Sequence, residues 1–371
     1  MHVVISQELL SAVLSTVSKA VTRSINPVLN HVRVVVSSDH VEMTATDGEF
    51  TIRRTLAVSG ADPGSFLAPA DLLSKLVGKL PKKDVTLSTE GNQLNVQVGR
   101  SSYDLTIMPD ENFPSLPEYE GSLLTSIPAS LLKNALQQTT FSAVKDSSTG
   151  AVHYTNGVFF VFHGASLDIV ATDGHRLALK RNKGLAGNEL EQNLLLPARV
   201  ADELEKMLPD DDDAAVAIFN PGNQVAFAFG SQLVVCSLLD VKFPDYERVI
   251  PKDIATRVFL DKSELNDALQ RVQLVCRTRD QNPVAHIESS EDKIDIRSDA
   301  GEVGKGVEEL GAQIEGGAIR IALNPEYIIQ VLKNVPGDQV VLNWINEVNP
   351  VLVSSPRDPD YLYIVMPIRM D

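Results

Sequence analysis

The sequence predicts an α+β protein built of three tandem repeats, each with two helices packed on antiparallel sheets. Three observations carry that expectation. Asp47, Asp173 and Asp299 recur 126 residues apart, in "ATDGEF", "ATDGHR" and the weaker echo "SDAGEV". A helical stretch with one proline near its entry and another past its end recurs at Pro69/Pro81, Pro197/Pro209 and Pro325/Pro336. Between these markers the apolar pattern falls to period two, as at Leu94/Val96/Val98 and Tyr103/Leu105/Ile107, which is the strand period.

Within the first repeat, Leu9, Leu10, Val13, Leu14 and Val17 form the stripe of an opening helix. Leu131, Leu132, Ala135 and Leu136 do so in the second, and Leu265, Ala268, Leu269 and Val272 in the third. The proline-bounded helices follow, with Leu72, Leu73, Leu76, Val77 and Leu80 as the first stripe. Proline's fixed φ and missing N–H suit both positions. Turn residues punctuate the strands at Ser37-Ser38-Asp39, Glu90-Gly91-Asn92 and Asn220-Pro221-Gly222-Asn223. The order strand, helix, three strands occurs twice per repeat, so each is itself doubled. Polar, proline-rich connectors near 109–125 and 240–255 set expected domains at 1–123, 124–252 and 253–371.

At 371 residues and 43% apolar, the chain can bury several cores. It has no apolar run near the roughly 20 residues that span a bilayer, and no secretory signal pattern. Its two cysteines, Cys236 and Cys276, fit a reducing compartment, so a cytoplasmic location is expected. The net charge of −16 argues against a protein that grips DNA by neutralising many phosphates.

Asp173 and His175 share one strand face and could form a carboxylate–imidazole dyad. The repeat supplies a control: the matching pairs are Asp47/Glu49 and Asp299/Gly301, with no histidine. The shared Asp-Gly reads as hairpin chemistry, whereas His175 and Arg176 belong to the second repeat alone. Nucleotide-loop, zinc-protease and paired-cysteine motifs are absent from the sequence, and its seven histidines lack metal-ligand spacing, so no metal or cofactor is expected. Lys75, Lys79, Arg199 and Lys206 lie on the proline-bounded helices among acids, as either a solvated face or a basic wall.

"ATDGHRLAL", "KFPDYERVIP" and "YIVMPIRM", set on three α+β repeats, closely resemble the bacterial DNA sliding clamp family, the beta subunits of DNA polymerase III. The resemblance covers the whole chain. It implies the DNA-clamp fold and a head-to-tail homodimer that closes a six-domain ring, helices inside and sheets outside. Such a ring is held on double-stranded DNA topologically, which accommodates the acidic balance. It implies no catalysis and no cofactor. Its implied partners are the replicative polymerase, the clamp loader, other polymerases and repair proteins, captured by short peptides in a pocket between the second and third domains. Carried over position by position, that pocket comprises Thr172, Gly174, His175, Arg176, Leu177, Pro244, Arg248, Val249, Asn324, Tyr327, Val365, Met366, Pro367, Ile368 and Arg369. Thr155 departs from the usual aliphatic residue and makes one corner more polar. DNA-facing positions are Arg23, Lys75, Lys79, Thr149, Tyr154, Arg199 and Lys206. The dimer is expected to pair the strand near 102–108, including Tyr103 and Ile107, with one near 294–304. A hydrolase using Asp173 and His175, or a monomeric scaffold, are the rival readings.

Overall fold

A computed structural model describes residues 1–115, 119–145, 153–185, 190–276, 283–299 and 304–369. Six α-helices fall among them: α1 Gln7–Val17, α2 Ala70–Lys79, α3 Ala129–Thr139, α4 Ala198–Met207, α5 Lys262–Cys276 and α6 Pro325–Leu332. They are two per repeat, at the predicted places. None is long and apolar enough to cross a membrane. Both cysteines are free and buried, and burial pushes the Cys236 thiol up to about 12.

The chain divides into two compact units, residues 1–132 with 206–238, and residues 133–205 with 239–371. Unit one holds a four-stranded and an eight-stranded antiparallel sheet; unit two holds a nine-stranded and a four-stranded one. The eight-stranded sheet is four strands of the first repeat and four of the second, joined where Phe50–Ala57 pairs with Gln232–Ser237. The nine-stranded sheet joins the second repeat to the third where Arg176–Lys183 pairs with Asp358–Val365. Each junction therefore pairs the third strand of one hairpin set with the third strand of the next repeat's second set.

Among the described residues, that rule leaves two third strands at sheet edges. One is Ser101–Thr106 in unit one and the other is Lys305–Gly311 in unit two. The sequence places the second near 294–304, but Lys293–Asp299 is paired on both sides, and residues 300–303 lie outside the described ones. Alternation could not separate an inner strand from its hairpin partner.

Helix burial follows the predicted stripes with two corrections. Leu10, Val13, Leu14 and Val17 are buried on α1, but Leu9 is 57% exposed. On α2 the core face is Ala70, Leu73 and Val77, spaced i, i+3, i+7, with Leu80 just beyond; Leu72 is 51% exposed. Neighbouring helical residues point about 100° apart, so with Leu10 and Leu73 facing the core, Leu9 and Leu72 turn to the margin of the stripe.

Candidate functional site

The two "ATDG" turns are built alike. Asp47 Oδ1 accepts from the Glu49 and Phe50 amides at 3.1 and 2.8 Å, and Asp173 Oδ1 from those of His175 and Arg176, both at 3.0 Å. Gly48 and Gly174 sit at φ +100° and +89°, where a Cβ is strained, and a threonine hydroxyl caps each glycine amide. The third echo runs into residues 300–303, outside the described ones. Asp173 Oδ2 takes the Arg176 Nε at 2.9 Å. The carboxylate thus orients the arginine, while His175 stands exposed at the turn.

Arg176 is 9% exposed and is held from several sides. Its other terminal nitrogens donate to Gln330, to the Tyr363 hydroxyl at 3.4 Å and to the Phe141 carbonyl at 3.1 Å. Its guanidinium lies 4.7 Å from the Tyr327 ring centroid and 5.6 Å from that of Phe141. Burial works against its charge, but Tyr363 and Asp173 outweigh that and raise its pKa. The sequence suggests a peptide-gripping arginine; the folded chain uses most of its donors to tie the turn to α6 and the last strand.

Beside this turn runs a groove of about 200 Å³, lined by Tyr154, Thr172, Gly174, Arg176, Leu177, Pro244, Asp245, Tyr246, Val249, Ile364 and Met366. Leu177 and Ile364 are cross-strand partners and form its buried floor. Its outer wall is the connector after the second repeat. Phe243 stacks on Phe159 at 4.7 Å and meets Tyr154 edge-on at 5.7 Å, which lays the connector over the sheet. The 3₁₀ turn Tyr246–Val249 follows, leaving Val249 38% exposed, opposite a Met366 that is 42% exposed. Burial, and then the Asp168 carboxylate, push the Tyr246 phenol well up, so its hydroxyl keeps its proton.

Seven of the fifteen pocket positions named from the sequence line this groove: Thr172, Gly174, Arg176, Leu177, Pro244, Val249 and Met366. Val365 is fully buried in the core on the other face; strand alternation gives the groove to Ile364 instead. Asn324 caps α6 through the Glu326 amide at 3.0 Å, and Tyr327 packs on Arg176, so both act behind the rim. Pro367, Ile368 and Arg369 are not among the groove's lining; the Met366 amide bonds to the His175 carbonyl at 2.9 Å and the Ile368 amide to the Ala322 carbonyl at 2.8 Å. Arg248 is exposed and paired to Asp245 at 2.8 Å. Asp245, Tyr246 and Ile364 complete the lining with no distinguishing mark of their own in the sequence; only the register Leu177↔Ile364 identifies the last. The Thr155 hydroxyl lies 3.0 Å from the His153 ring, so the local polarity of that corner is internally partnered.

Among the DNA-facing positions, Arg23, Lys75, Lys79 and Lys206 project from unit one and Arg199 from unit two, all exposed. Lys75 is paired with Asp71 at 2.8 Å, one turn away. Tyr154 lines the groove, and Thr149 lies outside the described residues. Tyr103 is 41% exposed; Ile107 is only 6% exposed, packed inside its own unit. Among the described residues no group of three or more His, Cys, Asp or Glu is arranged to hold a metal.

Family models of the DNA polymerase III beta subunit match three successive segments: the N-terminal domain at residues 1–117, the central domain at 126–245 and the C-terminal domain at 247–369. The beta sliding clamp of Bacillus subtilis strain 168 is 31% identical over 364 residues, 95% of each chain. That of Staphylococcus aureus is 29% identical over 357 residues, 94% of this chain and 93% of its own. The crystal structure of the B. subtilis clamp superposes with a TM-score of 0.93 at 30% identity, over the full length of both chains. The Pseudomonas aeruginosa clamp bound to griselimycin gives 0.94 at 29%, again over both full lengths. This chain belongs to the DNA polymerase III beta subunit family, the beta sliding clamps of DNA replication, which are processivity factors and not catalysts.

Proposed function

We propose that two copies of this chain close a ring around double-stranded DNA and tether the replicative polymerase to it. The observation that carries the ring is the pair of unjoined third strands, Ser101–Thr106 and Lys305–Gly311. Pairing them between copies repeats the rule that already joins the repeats, and makes the same heterologous contact twice. Domains of 1–123, 124–252 and 253–371 give such a ring six similar parts. Two further features support the edges. The inner row Val3–Leu87–Val96 is buried, and it ends on the edge strand at Tyr103, which is 41% exposed. On the other edge Val307 is 65% exposed, and Leu274 of α5 76%. Open apolar-flanked edges invite strand addition. Tyr103→Asp is expected to shift the protein from dimer to monomer in sedimentation at micromolar concentration, with its helical signal unchanged. A wild-type monomer, or an undisturbed Tyr103→Asp dimer, contradicts the arrangement.

The exposed basic residues Arg23, Lys79, Arg199 and Lys206 are the proposed weak DNA contacts inside the ring, and a cytoplasmic site of action goes with that role. The groove is the proposed capture site for the peptide tails of the polymerase, clamp loader, other polymerases and repair proteins. Its apolar floor, with flexible Met366 and exposed Val249 at the rim, suits varied apolar side chains. Griselimycin, the ligand of the P. aeruginosa structure, is the probe of choice. Val249→Asp puts a charge on the wall without disturbing the core and is expected to weaken griselimycin by about tenfold or more. Calorimetric titration giving equal Kd values for wild type and variant would remove the groove from this reading.

A further inference from the structure

Behind the connector wall lies a polar cluster centred on the buried Asp168, which does not itself line the groove. Asp168 is 2% exposed, on the same sheet face as Phe159 and Val170, the face the connector covers. Its Oδ2 accepts from the Tyr246 hydroxyl at 3.2 Å and from Arg181 Nε, its cross-strand partner, at 3.4 Å. Arg181 also pairs with Glu247, the next residue of the wall turn. Among the described residues Asp168 Oδ1 has no hydrogen bond; the exposed His163 ring stands 3.4 Å away. A carboxylate held so deep with few donors costs stability, which calls for a compensating role. Phe243 and its neighbours attach the connector through apolar contact, which is not directional. The bonds to Tyr246 and Glu247 are directional, and both residues lie in the turn that ends at Val249.

We propose that Asp168 is a positioning residue for the groove: by holding the Tyr246 hydroxyl it fixes the wall turn at a set distance from the Leu177–Ile364 floor. This rests on the groove being the ligand site. It predicts that ligand affinity responds to a hydroxyl and a carboxylate that face away from the ligand. Removing a hydrogen bond to a buried charge typically weakens the state that needs it by about tenfold or more. Tyr246→Phe and Asp168→Ala are each expected to raise the griselimycin Kd about tenfold. The double variant should be no weaker than the weaker single, because both remove the same bond. Asp168→Asn keeps an oxygen for the Tyr246 hydroxyl and is expected to stay within about threefold of wild type. Singles within twofold of wild type, losses that multiply in the double variant, or an Asn variant as weak as Ala each overturn the tether. Should Asp168→Ala not fold, Tyr246→Phe and Asp168→Asn decide the matter by the same two criteria. A wild-type chain that does not bind griselimycin overturns the groove reading and the tether with it; wild-type binding with indifferent variants overturns the tether alone.

Discussion

Loaded onto a nicked circular plasmid, the protein is expected to stay on the DNA when salt is raised, and to leave when the circle is cut. A protein that holds duplex by neutralising six to ten phosphates loses roughly 10³-fold or more in affinity between about 50 and 200 mM salt. A chain of net charge −16, in which 49 acidic residues outnumber 33 basic ones, is poorly suited to draw on that source. Closure would hold it without tight phosphate contacts, and would leave it free to slide. Its acidic balance would also discourage DNA from adhering to the outside. Gel filtration of the plasmid with bound protein, before and after linearisation, gives the comparison. Equal, salt-driven loss from circular and linear DNA would mean ordinary binding and no encirclement.

The second large effect concerns the junction between the second and third repeats. Lys180 Nζ lies 2.7 Å from both oxygens of Asp358, and the two side chains are only 11% and 15% exposed. Gln138 of α3 donates to the same carboxylate at 3.3 Å. Asp358→Ala leaves the lysine charge buried without its partner, a change that costs about 3–5 kcal/mol. Asp358 opens the strand that continues the second repeat's sheet into the third, so the loss falls on the shared sheet. The midpoint of thermal unfolding is expected to fall by several degrees. Replacing both residues together, as Lys180→Met with Asp358→Leu, should recover most of that loss because no charge is then stranded. An Asp358→Ala midpoint within about 1 °C of wild type would show that water already solvates the pair.

How far the site was legible in the sequence depended on whether a residue's role is local. Asp173 and Gly174 form a turn from their own side chain and backbone freedom, and the repeat at Asp47 and Gly48 made that plain without coordinates. Leu177, Val249 and Met366 were found through a family resemblance, and they meet at one groove. Arg176 lines the groove as the resemblance implies, but its structural ties were not legible, because its partners Gln330, Tyr363 and Phe141 are 154, 187 and 35 residues distant. Val365, which the resemblance implies for the pocket, faces the core while Ile364 faces the groove, and only the sheet's packing decides which face of that strand is which. Asp168 gave no local signal at all: its neighbours Tyr246 and Glu247 arrive only when the connector folds back over the sheet.

By itself the sequence determined the three repeats, their six helices, the shared turn chemistry and the family. Those follow from periodicity and from interactions within a few residues, which any copy of the same string must make. Only the tertiary structure decided which strands join the repeats and which are left at an edge, which face of the last strand floors the groove, and what holds its wall. Those depend on pairings between residues far apart in the chain, where apolar burial fixes only that segments meet, and register and buried polar bonds fix how.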